Sequence, residues 1–255
     1  MLTACRTLQS LTHGLRTRAV LPLAVLPLAV LLLAVFAVGP AYAGGQALVD
    51  AAREQIGVTV VYDGRYQRLV YPNGDVPIER GVCTDVVIRA YRRLDIDLQQ
   101  AVHEDMRGHF DAYPKLWGLL RPDRNIDHRR VPNLEAWLRR QGTALSVSDS
   151  GANYRPGDLV SWRLPGNLPH IGIVSERRSD AGVPLIVHNI GAGTREEDIL
   201  FAFPISGHFR LPPRSAGDAA RGESTYPAGA LQAAAVRSGG YAGATRVGFA
   251  ALRAD

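Results

Sequence analysis

The sequence predicts an α+β fold, on three observations. Apolar residues fall at helical spacing in several segments between residues 44 and 140. From residue 158 to 210, β-branched and aromatic residues gather in short runs separated by Gly and Pro turns. The helices precede the strands, the order of an α+β domain with an antiparallel sheet.

The elements follow in chain order. Residues 1–43 read as an export signal: Arg6, Arg16 and Arg18 precede an apolar run from Ala19 to Val38, and Ala41-Tyr42-Ala43 closes it with a small-x-small cleavage site. The run is long enough for an uncleaved anchor, but Pro22 and Pro27 interrupt it and the cleavage site follows directly, which favours removal near Ala43. The domain is expected over 44–211 and exported, to the periplasm or beyond the cell, with no membrane contact after cleavage. Ala47, Leu48, Ala51, Ala52 and Ile56 share one face of a leading helix. Thr59 to Tyr71 is rich in Val and Tyr and reads as extended, ending in Tyr71-Pro72-Asn73-Gly74. Val82, Val86, Val87, Ala90, Tyr91 and Leu94 make a helix that starts at or near Cys83. Further helices are expected over Leu98–Phe110 and Pro132–Arg140, the latter with Pro in its first turn and Gly142 just past its end. Strands are expected over Asp158–Leu164, Ile171–Ser175, Leu185–Asn189 and Ile199–Arg210. Residues 212–255 hold mostly Ala, Gly, Arg and Ser and cannot bury enough apolar surface to offset chain entropy, so a disordered tail is expected.

Charge excludes little. The chain has 29 basic and 24 acidic residues, but residues 1–43 carry three arginines and no acid, leaving 26 basic against 24 acidic. That balance does not call for a nucleic acid. No nucleotide-binding glycine loop, CxxC pair or DNA-reading motif is present, and no cofactor is expected. Nothing in the sequence fixes an oligomeric state.

Cleavage would remove Cys5 and leave Cys83 without a partner. A lone cysteine can be a buried small hydrophobe. At a helix N-terminus, however, unpaired N–H groups and the helix dipole favour the thiolate. Asp85 in the same turn opposes this unless its carboxylate is paired elsewhere. A thiol nucleophile needs a base, and the base an orienter. His170 opens one expected strand and His188 lies on the next, so neighbouring antiparallel strands can bring the rings together. Cys83, His170 and His188, or Asn189 in place of His188, form a Cys–His–polar triad.

The order Cys-helix, Pro-Gly-Asp-Leu-Val-Ser-Trp, His-Ile-Gly-Ile-Val, Ile-Val-His resembles the NlpC-type papain-like peptidases of the bacterial cell wall. The strings GVCTDVVIRAYRR, DLQQAVHEDM, NIDHRRVPNL, YRPGDLVSW, HIGIVS, LIVHNIG and GHFR resemble, more closely, an exported bacterial family known as domain of unknown function 1287, over roughly residues 46 to 211. The resemblance implies a papain-like fold. It puts nucleophile, base and orienter on Cys83, His170 and His188, and places a tyrosine near the site, Tyr71 by spacing or Tyr62 in its stead. It also implies peptidoglycan or its peptides as the partner. Cys-Thr-Asp departs from the Cys-Ser-Gly usual in NlpC peptidases: Asp85 stands in place of Gly, where it changes the shape expected of the oxyanion side and is a candidate supporting residue.

Arg129 and Arg130 are candidates for carboxylates of a stem peptide, and Trp162, like Trp117 and Trp137, is either core or a stacking platform. His103, Glu104, Asp105, His109 and Asp111 are dense enough to suggest a metal, yet match no zinc spacing; no metal is expected. The sequence therefore points to an exported cysteine hydrolase of a peptidoglycan amide, a stem-peptide endopeptidase or an amidase. A non-catalytic wall-binding or regulatory module and a thioester-forming acyltransferase are the alternatives.

Overall fold

The structure, a computed structural model, describes residues 40–211, with side chains from residue 44. Most of the expected signal and all of the expected tail lie outside the described residues. Among the described residues no helix is long and apolar enough to cross a membrane.

Four helices precede a six-stranded antiparallel sheet, the expected α+β order. Helix α1 spans Pro40–Arg53. A two-residue parallel pair, β1 (Val61–Tyr62) and β2 (Arg80–Gly81), leads into α2 (Cys83–Arg92). Then come α3 (Leu98–His109) and α4 (Val131–Arg140). The sheet is built from β3 (Ala144–Leu145), β4 (Leu159–Leu164), β5 (Leu168–Arg178), β6 (Pro184–His188), β7 (Arg195–Glu197) and β8 (Ile205–Phe209). Its order is β3-β8-β4-β5-β6-β7.

Period-2 alternation divides the apolar side chains between two cores. Leu159, Ile171, Ile173, Val187 and Phe209 belong to the main core with the helices, where Val86, Val87, Leu98, Leu134 and Trp137 are fully buried. Val160, Trp162, Val174 and Ile186 form a second core under Tyr154 and Leu200. The expected strand over Ile199–Arg210 is a correction: only its last part is strand, and Ile199, Phe203 and Ile205 pack in the second core from turns and the strand start. The stretch Thr59–Tyr71 is likewise mostly irregular, with only Val61–Tyr62 paired.

That irregular segment is held by polar side chains. Arg89 of α2, buried, donates to Thr59 Oγ1, to both Asp75 oxygens and to the carbonyls of Val76, Pro77, Ile78 and Arg80. Gln99 of α3 accepts from Gly74 N–H and donates to the Val70 and Arg124 carbonyls. Asp97 caps α3 by accepting Gln99 N–H at 2.9 Å and also takes Asn73 N–H. These side chains supply the backbone partners that a sheet ladder would otherwise provide.

Candidate active site

Cys83 is the first residue of α2 and is 4% exposed. Val82 before it has no side-chain acceptor for the cap, so Asp85 supplies half of a capping box: its Oδ2 accepts Val82 N–H at 2.7 Å. The same carboxylate is held by Arg129, which donates Nε to Oδ1 at 2.9 Å and Nη2 to Oδ2 at 2.8 Å. Asp85 therefore points back from the helix start with its charge matched. The N–H groups of Cys83 and Thr84 remain directed at the sulfur.

The helix terminus does not yield a resting thiolate. Burial pushes the Cys83 thiol up to about 12, against the N–H groups of Ile171, Thr84 and Cys83, which pull it down. The expectation of a lowered thiol is corrected on that ground: loss of water outweighs three backbone donors.

Ile171 follows His170 on β5, so its N–H contact sets the sulfur against the strand that carries His170. His170 pairs across the ladder with Trp162 and lies 5.8 Å from it, ring to ring. His188 ends β6 on the same face. A Cβ at Gly172 would come within 2.5 Å of Ile186 Cγ2 and 3.1 Å of His188 Cβ, so glycine opens the room in which the two rings meet. His170 Nε2 is 3.0 Å from His188 Nδ1, and His188 Nε2 is 3.0 Å from Glu197 Oε2. Both rings are buried. Burial and the neighbouring ring push His170 down to about 3, and burial lowers His188 against the pull of Glu197, so at neutral pH both imidazoles are uncharged. The hydrogen bond of His170 among the described residues goes to His188 rather than to the sulfur.

Asn189 stands apart from the rings. Its Nδ2 donates to the Gly81 carbonyl and its Oδ1 accepts Gly191 N–H, tying the end of β6 to β2. The structure thus brings His188, not Asn189, to His170. Of the two tyrosines, Tyr62 lines the same cavity as the thiol; burial, with the negative groups of Cys83 and Asp85 behind it, pushes its hydroxyl up to about 12, so it is a neutral donor at neutral pH. Tyr71 lies elsewhere, edge-on to His103 at 5.2 Å and under Arg124, because the irregular loop carries it towards α3. The placement of Tyr71 by spacing is thereby corrected.

Cys83 opens into a cavity of about 410 Å³ whose walls include Tyr62, Tyr66, Trp117, Arg130, Pro132 and Pro169. Pro132 and Pro169 also border a larger cavity of about 690 Å³ lined by Arg139, Arg140, Arg163 and Glu135. The two cavities share Pro132 of α4 and Pro169 at the start of β5. Arg130 stacks on Trp117 at 4.1 Å and pairs with Asp127, at the wall of the smaller cavity. Arg129 borders the same cavity, but its side chain is 1% exposed and its donors are taken by Asp85 and by the Asp63 and Arg65 carbonyls. As a substrate contact it is corrected: it is the internal counter-charge of Asp85. Trp162 is fully buried and donates Nε1 to the Leu200 carbonyl, so it too is corrected from platform to core.

The residues read as a metal-like cluster have other partners. Asp105 takes Arg140 and the Tyr113 hydroxyl, and His109 Nδ1 meets the Asp105 carbonyl. Among the described residues no group of three or more His, Cys, Asp or Glu side chains is arranged to hold an ion. Sequence reasoning missed Glu197. Its signal was the pair Glu196-Glu197 in a short polar run after His188, with no apolar residue to mark a strand.

Residues 49–211 match the family described as Domain of unknown function (DUF1287). YijF of Escherichia coli (strain K12), described as an uncharacterized protein, is 56% identical over 164 residues, covering 64% of this chain and 80% of that protein. Two solved structures from Trichomonas vaginalis resemble the chain at 14% identity each. NlpC1 gives a TM-score of 0.36 over 68% of this chain and 45% of its own, and NlpC2 gives 0.37 over 70% and 49%. The chain spans about half the length of those two structures.

Proposed function

The chain belongs to the DUF1287 family, and we propose that it is an exported cysteine hydrolase that opens an amide bond of peptidoglycan, within the stem peptide or between sugar and peptide. One observation carries this reading. A cysteine at a helix start lines a cavity with its sulfur against the backbone N–H of Ile171, and the residue before Ile171 is His170, first in a hydrogen-bonded line of two histidines and a glutamate. The wall as substrate rests on the motif resemblance. In the neighbouring cavity Arg140 is bound to Asp105 and Arg163 to Glu135, so the half-exposed Arg139 is the arginine best placed there to meet a substrate carboxylate.

Because thiol and imidazole both rest uncharged, the proton moves during attack. Cys83 Sγ bonds to the amide carbonyl carbon as its S–H proton passes to His170. The carbonyl oxygen becomes an oxyanion, for which the N–H groups at the start of α2 and the Tyr62 hydroxyl are the candidate donors. His170 then returns the proton to the departing amine as the C–N bond breaks, leaving a thioester. Water, deprotonated by His170, attacks the thioester carbon; the acid leaves and the S–H bond re-forms. An amine in place of that water would make the same thioester an acyl donor.

A second reading, a wall-binding module that uses the cavity without turnover, is favoured by the buried, protonated thiol. Purified peptidoglycan incubated with the protein and with its Cys83→Ala variant, followed by mass spectrometry of the soluble fragments, separates the two. Fragments released by the protein and absent with the variant are expected, and their masses name the bond. Equal release by both proteins would sink the cysteine mechanism. Co-sedimentation with the wall and no release from either would favour the binding module.

A further inference from the structure

Two consecutive glutamates on β7 do different work. Glu196 fixes the strand: it accepts from Ser175 Oγ at 2.5 Å, from Arg53 Nη2 at 2.8 Å and from Arg177 Nη1 at 3.0 Å. Glu197, one residue on, is turned to the other side and reaches His188. Its second oxygen is 3.7 Å from Arg195 Nη1. The ring of His188 is fully buried, while Glu197 is partly exposed.

The proton positions follow from donor and acceptor chemistry. A carboxylate only accepts, so the proton at the His188–Glu197 contact belongs to His188 Nε2. A neutral ring holds one such proton, so His188 Nδ1 is a bare lone pair. The 3.0 Å contact from His170 Nε2 to that nitrogen must then be donated by His170. His170 in turn is left with its proton on Nε2 and a lone pair on Nδ1. The tautomer of the base is thus set two residues away, at the sheet edge.

We propose that Glu197 is a positioning residue: by holding His188 as the Nε2–H tautomer, it fixes His170 with Nδ1 free to take the Cys83 proton. The role rests on the hydrolase reading for its effect on turnover, but the tautomers stand independently of it. During attack the S–H bond breaks and an Nδ1–H bond forms on His170. His188 keeps its own proton, and none passes to Glu197. The negative end of the line favours the imidazolium while it exists, and Arg195 moderates that field from the solvent side.

The test is long-range proton–nitrogen spectroscopy on the ¹⁵N-histidine-labelled protein at pH 7.5, beside Glu197→Ala and Glu197→Gln. Nε2–H tautomers at both His170 and His188 are expected in the unaltered protein. Glu197→Ala should release His188 into a tautomer mixture and lower kcat on wall fragments about 100-fold, with KM little changed. Glu197→Gln, whose carbonyl can still accept, should keep the tautomer and lose less rate. Alkylation of Cys83 by iodoacetamide should slow in Glu197→Ala, and this readout needs no substrate. An Nδ1–H tautomer at His188 in the unaltered protein overturns the proposal without any variant. So does a Glu197→Ala variant with unchanged tautomers and unchanged alkylation. Expected tautomers and slowed alkylation with no turnover by any form would uphold the proposal and overturn the hydrolase reading alone.

Discussion

At the scale of single residues, the negative charge of Asp85 stands close enough to Cys83 to disfavour its thiolate. A carboxylate two residues after a cysteine at a helix start opposes thiolate formation, yet Asp85 is bound by Arg129 in a bidentate pair with both side chains under 5% exposed. Such a pair adds little net stability over an apolar one, but breaking it strands a buried charge. Asp85→Asn removes the charge beside Cys83 and leaves Arg129 uncompensated. The variant should lose about 3–5 kcal/mol of unfolding free energy, read as a lower urea midpoint with an unchanged slope. A loss under about 1 kcal/mol would mean that Arg129 is satisfied by the Asp63 and Arg65 carbonyls alone. Cys83, His170 and His188 were legible from residue type and order. The pairing of Asp85 with Arg129 was not, because 44 residues separate them and their shared geometry exists only once the 3₁₀ turn Asp127–Arg129 packs on α2. Thr84 Oγ1 donates to the Arg129 carbonyl at 3.0 Å and completes that junction.

At the scale of elements, legibility follows from what each element buries. Helices α2 and α4 announce themselves by apolar stripes that face the main core, and β4, β5 and β6 by β-branched runs buried on both faces. Strand β7, Arg195-Glu196-Glu197, buries no apolar side chain and lies at the edge of the sheet, so no hydrophobic period marks it. Tyr62 and Tyr71 could not be told apart for the same reason: their loop is organised by Arg89 and Gln99 from helices that come later in the chain. Gly172 lay in plain view within His-Ile-Gly-Ile-Val, and its purpose emerges only from the ladder. Gly172→Ala would set a methyl 2.5 Å from Ile186 Cγ2 and against His188 Cβ, within a sheet that cannot open on one side. Strain of about 1–3 kcal/mol is expected, together with a displaced His188. Thermal unfolding and the His170 and His188 ring signals check this together. Unmoved rings and an unchanged midpoint would show that the strands part without cost.

At the scale of the whole molecule, burial of titratable groups sets the pH range in which the fold survives. His128 and His170 are both pushed down to about 3, and His188 and His103 are lowered too, burial being the largest cause each time. Unfolded, these rings take protons near 6.5. Above that pH neither state is protonated and the histidines are neutral in the balance. As pH falls through 6.5 towards 3, the unfolded chain binds protons that the folded protein refuses, so stability is lost across that window. Asp105, Glu135, Asp158 and Glu196 are held low by arginine partners and add to the loss at the acid end, whereas Asp127, raised by burial, opposes it. On the alkaline side the sign reverses in the groups but not in the outcome. Cys83 and Tyr62 are raised to about 12, so the unfolded chain gives up their protons first, and stability declines above about pH 9. The thermal midpoint should therefore be highest between about pH 7 and 9. It should drop steadily from pH 6.5 to 4.5, each buried histidine contributing about 1 kcal/mol per pH unit. His128→Gln should shallow the acid limb while leaving turnover near its original value, since this ring takes no part in the line from His170 to Glu197. A midpoint that stays level down to pH 4.5 would mean that these rings take up protons in the folded protein as readily as in the unfolded chain, and that their burial does not hold them neutral.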